Sequence, residues 1–130
     1  MTVLNRDAFL KPAALPQEIV TIPELGGEVI VQGMTARGRS VFESQFSTAT
    51  GKAIPSRQRE LRERLVIACC VDAAGARLFA DEDVELIGSL PASIVEPLVD
   101  ACQRVCGMNK ASVEAMAKNS EGDQQINSPG

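Results

Sequence analysis

Leu61, Leu65, Ala68 and Cys69 recur at i, i+4, i+7 and i+8, and Arg57, Arg59, Glu60, Arg62, Glu63 and Arg64 occupy the opposite side of the same helical wheel. A helix so divided must bury one face and can leave the other in water. Ser56, just before it, is a suitable N-cap. A second stripe, Ile94, Val95, Leu98, Ala101, Cys102 and Val105, has the same helical period. With four Phe and neither Trp nor Tyr in 130 residues, the core between such helices must be aliphatic. That length suits one domain with a moderate core.

Around these stripes the chain predicts a mainly α single domain of four to five helices with a small antiparallel β-hairpin. Met1–Gln17, carrying Pro12 and Pro16 and no clear period, reads as an N-terminal arm. Residues 18–118 form the domain, and the polar run 119–130 reads as a disordered tail. Glu18–Ile22 and Glu28–Gly33 are the β-rich runs, separated by Pro23 and Gly26-Gly27. Thr35 is placed to cap the first long helix, in which Phe42 and Phe46 form an i,i+4 pair. Gly38 weakens that helix by about 1 kcal/mol relative to Ala. Thr48–Pro55 reads as a loop, and Val71–Phe79 as strand, turn and strand. Asp81 is the expected cap of a helix whose contacts come from Val84, Leu86, Ile87 and Leu90. Pro91 marks its end, Pro97 predicts a kink or a fresh helix start, and Gly107 a C-cap. Asn109 is then placed to cap a last short helix through Lys118.

Charge and composition narrow the function classes. The net charge is −4, but residues 35–64 hold seven basic and three acidic side chains, whereas residues 72–123 hold four and ten. Such bipolarity suits head-to-tail self-association or an oppositely patterned partner, and it also fits two ordinary solvated helix faces. Met1–Leu15 has no uninterrupted apolar stretch of the signal-peptide kind, and no window approaches the roughly 20 apolar residues that span a bilayer. A soluble, cytosolic chain is expected. Cys69 and Cys70 are adjacent, and Cys102 and Cys106 lie one helical turn apart. Vicinal cysteines on a helix diverge by about 100°, which is awkward for a shared metal. Without any His to act as base, a Cys nucleophile is also disfavoured. The four cysteines therefore read as buried apolar residues, with no metal and no cofactor expected. Asp81, Glu82, Asp83 and Glu85 crowd a helix start, where acidic groups suit the dipole, and no Gly-rich phosphate loop is present. An enzyme is not expected. The Arg57–Arg64 face could touch phosphates, but Glu60 and Glu63 interrupt it and aromatic stacking residues are scarce.

The order of short segments carries more information than any one of them. Pro23-Glu24-Leu25-Gly26-Gly27 leads into Glu28–Gly33, and Met34-Thr35-Ala36-Arg37-Gly38-Arg39 opens the helix bearing Phe42 and Phe46. Val71-Asp72-Ala73-Ala74-Gly75-Ala76-Arg77-Leu78-Phe79 follows, then Ala80-Asp81-Glu82-Asp83-Val84, Gly107-Met108-Asn109, and Glu114-Ala115-Met116-Ala117-Lys118-Asn119-Ser120. Over roughly residues 18–120 this order resembles the tail assembly chaperones of long-tailed (siphovirus-type) bacteriophages and prophages. The resemblance implies a protein of the host cytoplasm that binds the tape measure protein, keeps it soluble and extended, and promotes tail tube assembly. Such a protein is absent from the mature virion. It also implies a longer form made by ribosomal frameshifting, with the junction in residues 119–130 and the tail tube protein bound beyond it. Self-association is expected, and neither nucleic acid nor membrane. The family transfers no catalytic residues. From pattern alone the partner-binding surface is placed at Phe42 and Phe46 together with Arg57, Arg59, Arg62 and Arg64, all expected to be exposed. The alternative is a small helical regulator that binds nucleic acid through the Arg57–Arg64 face. A metal-dependent enzyme stands third.

Overall fold

Val20 and Ile22 point inward from one strand while Ile19 and Thr21 point out, the period-two alternation of a half-buried sheet. In the computed structural model, which describes residues 1–11, 14–109, 111, 114 and 115, this strand is β1, Gln17–Ile22. It pairs antiparallel with β2, Gly27–Gln32, in a register that runs from Gln17 opposite Gln32 to Ile22 opposite Gly27. Pro23 opens a single 3₁₀ turn, Pro23–Leu25, and Gly26 reverses the chain at φ 69°, where a side chain is strained. The hairpin is thus where the turn chemistry places it. A third strand, β3, Cys70–Val71, adds to the other edge of β2, giving the antiparallel order β1-β2-β3. The strand-turn-strand expected over Val71–Phe79 is reduced to one bridge, Val71 to Arg77. Its turn is held by the Asp72 carboxylate, which accepts the amides of Ala74 (2.9 Å) and Ala76 (3.0 Å).

Six α-helices lie among the described residues. They are α1 Arg6–Phe9, α2 Ala36–Glu43, α3 Pro55–Gln58, α4 Leu61–Cys69, α5 Val84–Gly88 and α6 Ala92–Val105. Thr35 caps α2 as expected, its hydroxyl oxygen accepting the Gly38 amide at 3.0 Å. The arginine-rich helix, however, is two pieces. Pro55 stands at the first position of α3, Ile54 precedes it without a side-chain cap, and α4 restarts at Leu61 after Arg59 and Glu60. Ser56 is therefore inside a turn of helix and caps nothing, because proline, lacking an amide hydrogen, already suits the helix start. Asp81 is likewise not a cap. It begins a 3₁₀ turn, Asp81–Asp83, in which the Asp83 carboxylate accepts the Ala80 amide at 2.8 Å. Through Pro97 α6 runs without a break. The carbonyl that Pro97 cannot serve belongs to exposed Ser93 in the first turn, where water can meet it. At the other end Gly107 adopts φ 70°, its amide bonding Arg104 O while the Met108 amide bonds Gln103 O at 2.8 Å. That pair of bonds is a Schellman cap, with Met108 buried against the core. Ala111, Glu114 and Ala115 are helical; Lys118 and the 119–130 tail lie outside the described residues.

Helix α4 sits at the centre. Leu61, Leu65, Val66, Ile67 and Cys69 are all buried, so it is covered on more than the one face its stripe marks. Helix α6 packs against it and against β1 and β2, contributing Ile94, Val95, Leu98, Val99, Ala101 and Cys102. Helix α5 adds Val84 and Ile87, but Leu86 and Leu90 face solvent, contrary to their expected role as contacts. No described helix is long and apolar enough to cross a membrane.

Candidate protein-binding groove

Phe42 and Phe46 stack edge to face, their centroids 5.1 Å apart and their planes at 70°. They are 2% and 6% exposed, which corrects the expectation that they form an outward contact face. Spacing of i,i+4 marks residues that share a side of a helix, and here that side is turned inward. Val41, one residue earlier, projects outward at 62% exposure. Between α2 and the rest of the fold lies a groove of about 660 Å³. Its apolar lining comes from Met34, Val41, Phe42, Ile67 and Ala68. Gly38 contributes no side chain to the α2 wall; a Cβ there would stand 3.2 Å from the capping Thr35 hydroxyl.

The rim is polar and carries both signs of charge: Arg57 and Arg64, joined through Gln45, line it together with Arg77, Asp81 and Glu82. Arg64 is the most sheltered. It donates to Glu60 Oε1 from Nε (3.1 Å) and Nη2 (2.9 Å), and to Gln45 Oε1 from Nη1 (2.8 Å). Gln45 also accepts from Arg57 through its backbone oxygen at 3.3 Å, so one residue orients both cations. Arg77 is paired with Asp81 at 2.7 Å. Of the six residues expected to bind a partner, the fold brings Phe42, Arg57 and Arg64 to this groove. Phe46 lies in the core. Arg62 turns toward α6 and pairs with Glu96 at 3.3 Å, and exposed Arg59 forms no ion pair among the described residues. Val41, Ile67 and Ala68 were not foreseen as site residues. The i,i+4 spacing of Arg77 and Asp81 was a readable signal for the acidic rim, but nothing local joined it to α2.

The four cysteines converge where α4 meets α6. Cys69, Cys70 and Cys102 are fully buried and Cys106 half-buried, all as free thiols. The Cys69 and Cys106 sulfurs are 3.5 Å apart. Hydrogen bonds from the Cys102 and Cys106 thiols lower Cys69 against the opposing cost of burial. Cys102 is raised by its bonds to Cys69 and Cys70 and by burial, and Cys106 by its bond to Cys69 and burial. No group able to hold a metal ion occurs among the described residues.

No family model matches this chain, and no curated protein matches it. A solved structure of the bacteriophage HK97 tail assembly chaperone is similar over 72% of this chain and 88% of that one, at 16% identity and a TM-score of 0.47. A likeness so slight carries no functional weight.

Proposed function

We propose that this chain is a bacteriophage tail assembly chaperone that binds the tape measure protein through the groove between α2, α4 and the turn after Arg77. The groove is the observation that carries the reading, and the order of sequence segments supplies the family. A long amphipathic helical protein aggregates through its apolar stripe unless that stripe is covered. Helix-in-groove recognition covers it by matching side chains at i, i+3, i+4 and i+7 to an apolar floor. Met34, Val41 and Ala68 offer accessible apolar surface there, with buried Phe42 and Ile67 behind it, and the volume of about 660 Å³ lies within the roughly 300–1,000 Å³ usual for ligand clefts. A rim carrying both signs of charge suits a helix whose apolar stripe is flanked by charged residues. In this reading the protein works in the host cytoplasm, self-associates along the tape, promotes tail tube assembly and leaves before the virion matures. A longer frameshifted form would carry the segment that meets the tail tube protein.

Co-expression with the tape measure protein of the same phage tests this. The expected result is a soluble complex containing several copies of this chain, lost in Val41→Glu, which puts a charge on an already exposed wall and so spares the fold. If Val41→Glu binds as well as the parent, the groove is not the site. If the tape protein stays insoluble with both the short and a frameshifted form, the family reading fails.

A further inference from the structure

We propose that Cys69 and Cys106 are a disulfide-forming pair, a modification site at which small oxidised disulfides of the glutathione class cross-link α4 to the end of α6. Their sulfurs are 3.5 Å apart, so a bond of about 2.05 Å needs a closure of roughly 1.5 Å. Cys69 is the last residue of α4 and Cys106 the C-cap of α6, so the bond ties the two helix ends together. Access is asymmetric. Cys69, Cys70 and Cys102 are closed to solvent, and only half-buried Cys106 can meet a reagent.

The chemistry follows from that asymmetry. Cys106 gives its proton to solvent base, against the raised value that its bond to Cys69 and burial impose, and the thiolate attacks one sulfur of the oxidised reagent. One S–S bond breaks, a reagent thiolate leaves and is protonated, and a mixed disulfide forms on Cys106. Cys69 then loses its proton and attacks Cys106 Sγ, releasing the second reagent thiol. Two protein thiols are oxidised and one small disulfide is reduced to two thiols, so atoms and electrons balance. The cross-link joins residues 37 apart in sequence and restrains the unfolded chain accordingly. It also sits behind the groove. Ile67 and Ala68 of the groove immediately precede Cys69, and Arg39 of α2 donates to the Cys106 carbonyl oxygen at 3.1 Å.

The test is incubation of the native full chain with oxidised glutathione, acid quench, alkylation and tryptic mass mapping. Cleavage after Arg64, Arg77 and Arg104 separates Cys106 from Cys102 and leaves Cys69 with Cys70, which fragmentation of the linked peptide distinguishes. The expected product has lost two hydrogens, bears no glutathione, links Cys69 to Cys106 and melts about 5 °C or more higher. In Cys69→Ser the attack stalls as a stable glutathione adduct on Cys106, a signature that a merely structural role would not produce. Linkage through Cys102 or Cys70, a persistent adduct on the parent chain, or no reaction under conditions that oxidise the unfolded chain would each overturn the proposal. Because the parent chain alone decides between these outcomes, a poorly folding variant does not shield it.

Discussion

Gly33 shows how closely two backbones approach in this fold. A Cβ at that position would lie 2.6 Å from the carbonyl oxygen of Val105, at the last residue of α6, and that oxygen is not the tip of a flexible side chain. The neighbouring end of α6 is already held by the Schellman bonds, by the bond from Arg39 to Cys106 O and by buried Met108. Gly33→Ala therefore must displace either β2 or the helix end, and we expect a loss of about 1–3 kcal/mol, the usual range for overpacking a tight site. Urea denaturation of the variant reads this directly; an unchanged midpoint would mean that the helix end yields freely. Gln58 is the opposite case, a polar residue at 7% exposure whose Oε1 has no hydrogen-bond partner among the described residues. Its burial was not legible in the sequence, where it reads as one more polar residue on the arginine face.

At the scale of elements, β1 is tied to the last turn of α6 by Glu18 and Arg104, whose Nε lies 3.0 Å from Glu18 Oε2. The hydrogen bond from Arg104 lowers the Glu18 pKa below its ordinary 4.5, with the cation's charge adding to it. A depressed carboxylate contributes stability above its unfolded value and loses it as the pH falls through the folded one. The contribution of this pair should thus be constant near neutrality and fade below about pH 4.5. The partners are solvent-accessible, so the effect is small and weakened by salt. Glu18→Gln should lower the melting temperature at pH 7 by no more than about 2 °C and should flatten the acid limb of the stability profile. Equal acid limbs in parent and variant would show that the pair adds nothing. The elements themselves divide by how local their cause is. Thr35 and Gly107 act within one turn of chain, and both sit where the sequence puts them. The break between α3 and α4 does not announce itself, since Arg59 and Glu60 are acceptable helix residues; Gln58 and Leu61 on either side of it are both buried.

Across the whole molecule, the basic and acidic segments meet at the ion pair of Arg62 with Glu96, and five charged residues, Arg57, Arg64, Arg77, Asp81 and Glu82, line the groove. If the rim steers a partner helix, Arg57→Glu should slow association by about tenfold at low ionic strength and much less at 0.5 M salt, where the Debye length falls below about 5 Å. Stopped-flow binding of the tape measure helix would measure it, and a salt-independent defect would point to lost packing instead. The aliphatic core, the two long apolar stripes, the hairpin with its turn, and the helix ends at Thr35 and Gly107 are all legible in the amino-acid order. Each of these depends on residues within a few positions of one another, through periodicity, capping and turn chemistry. Long-range packing alone brings β3 onto β2, turns Phe42 and Phe46 inward while Val41 faces out, and gathers Arg57, Arg64, Asp81 and Glu82 around one groove. A local pattern states which face of an element is apolar; which faces meet, and which stays open, is settled by contacts between segments far apart in the chain.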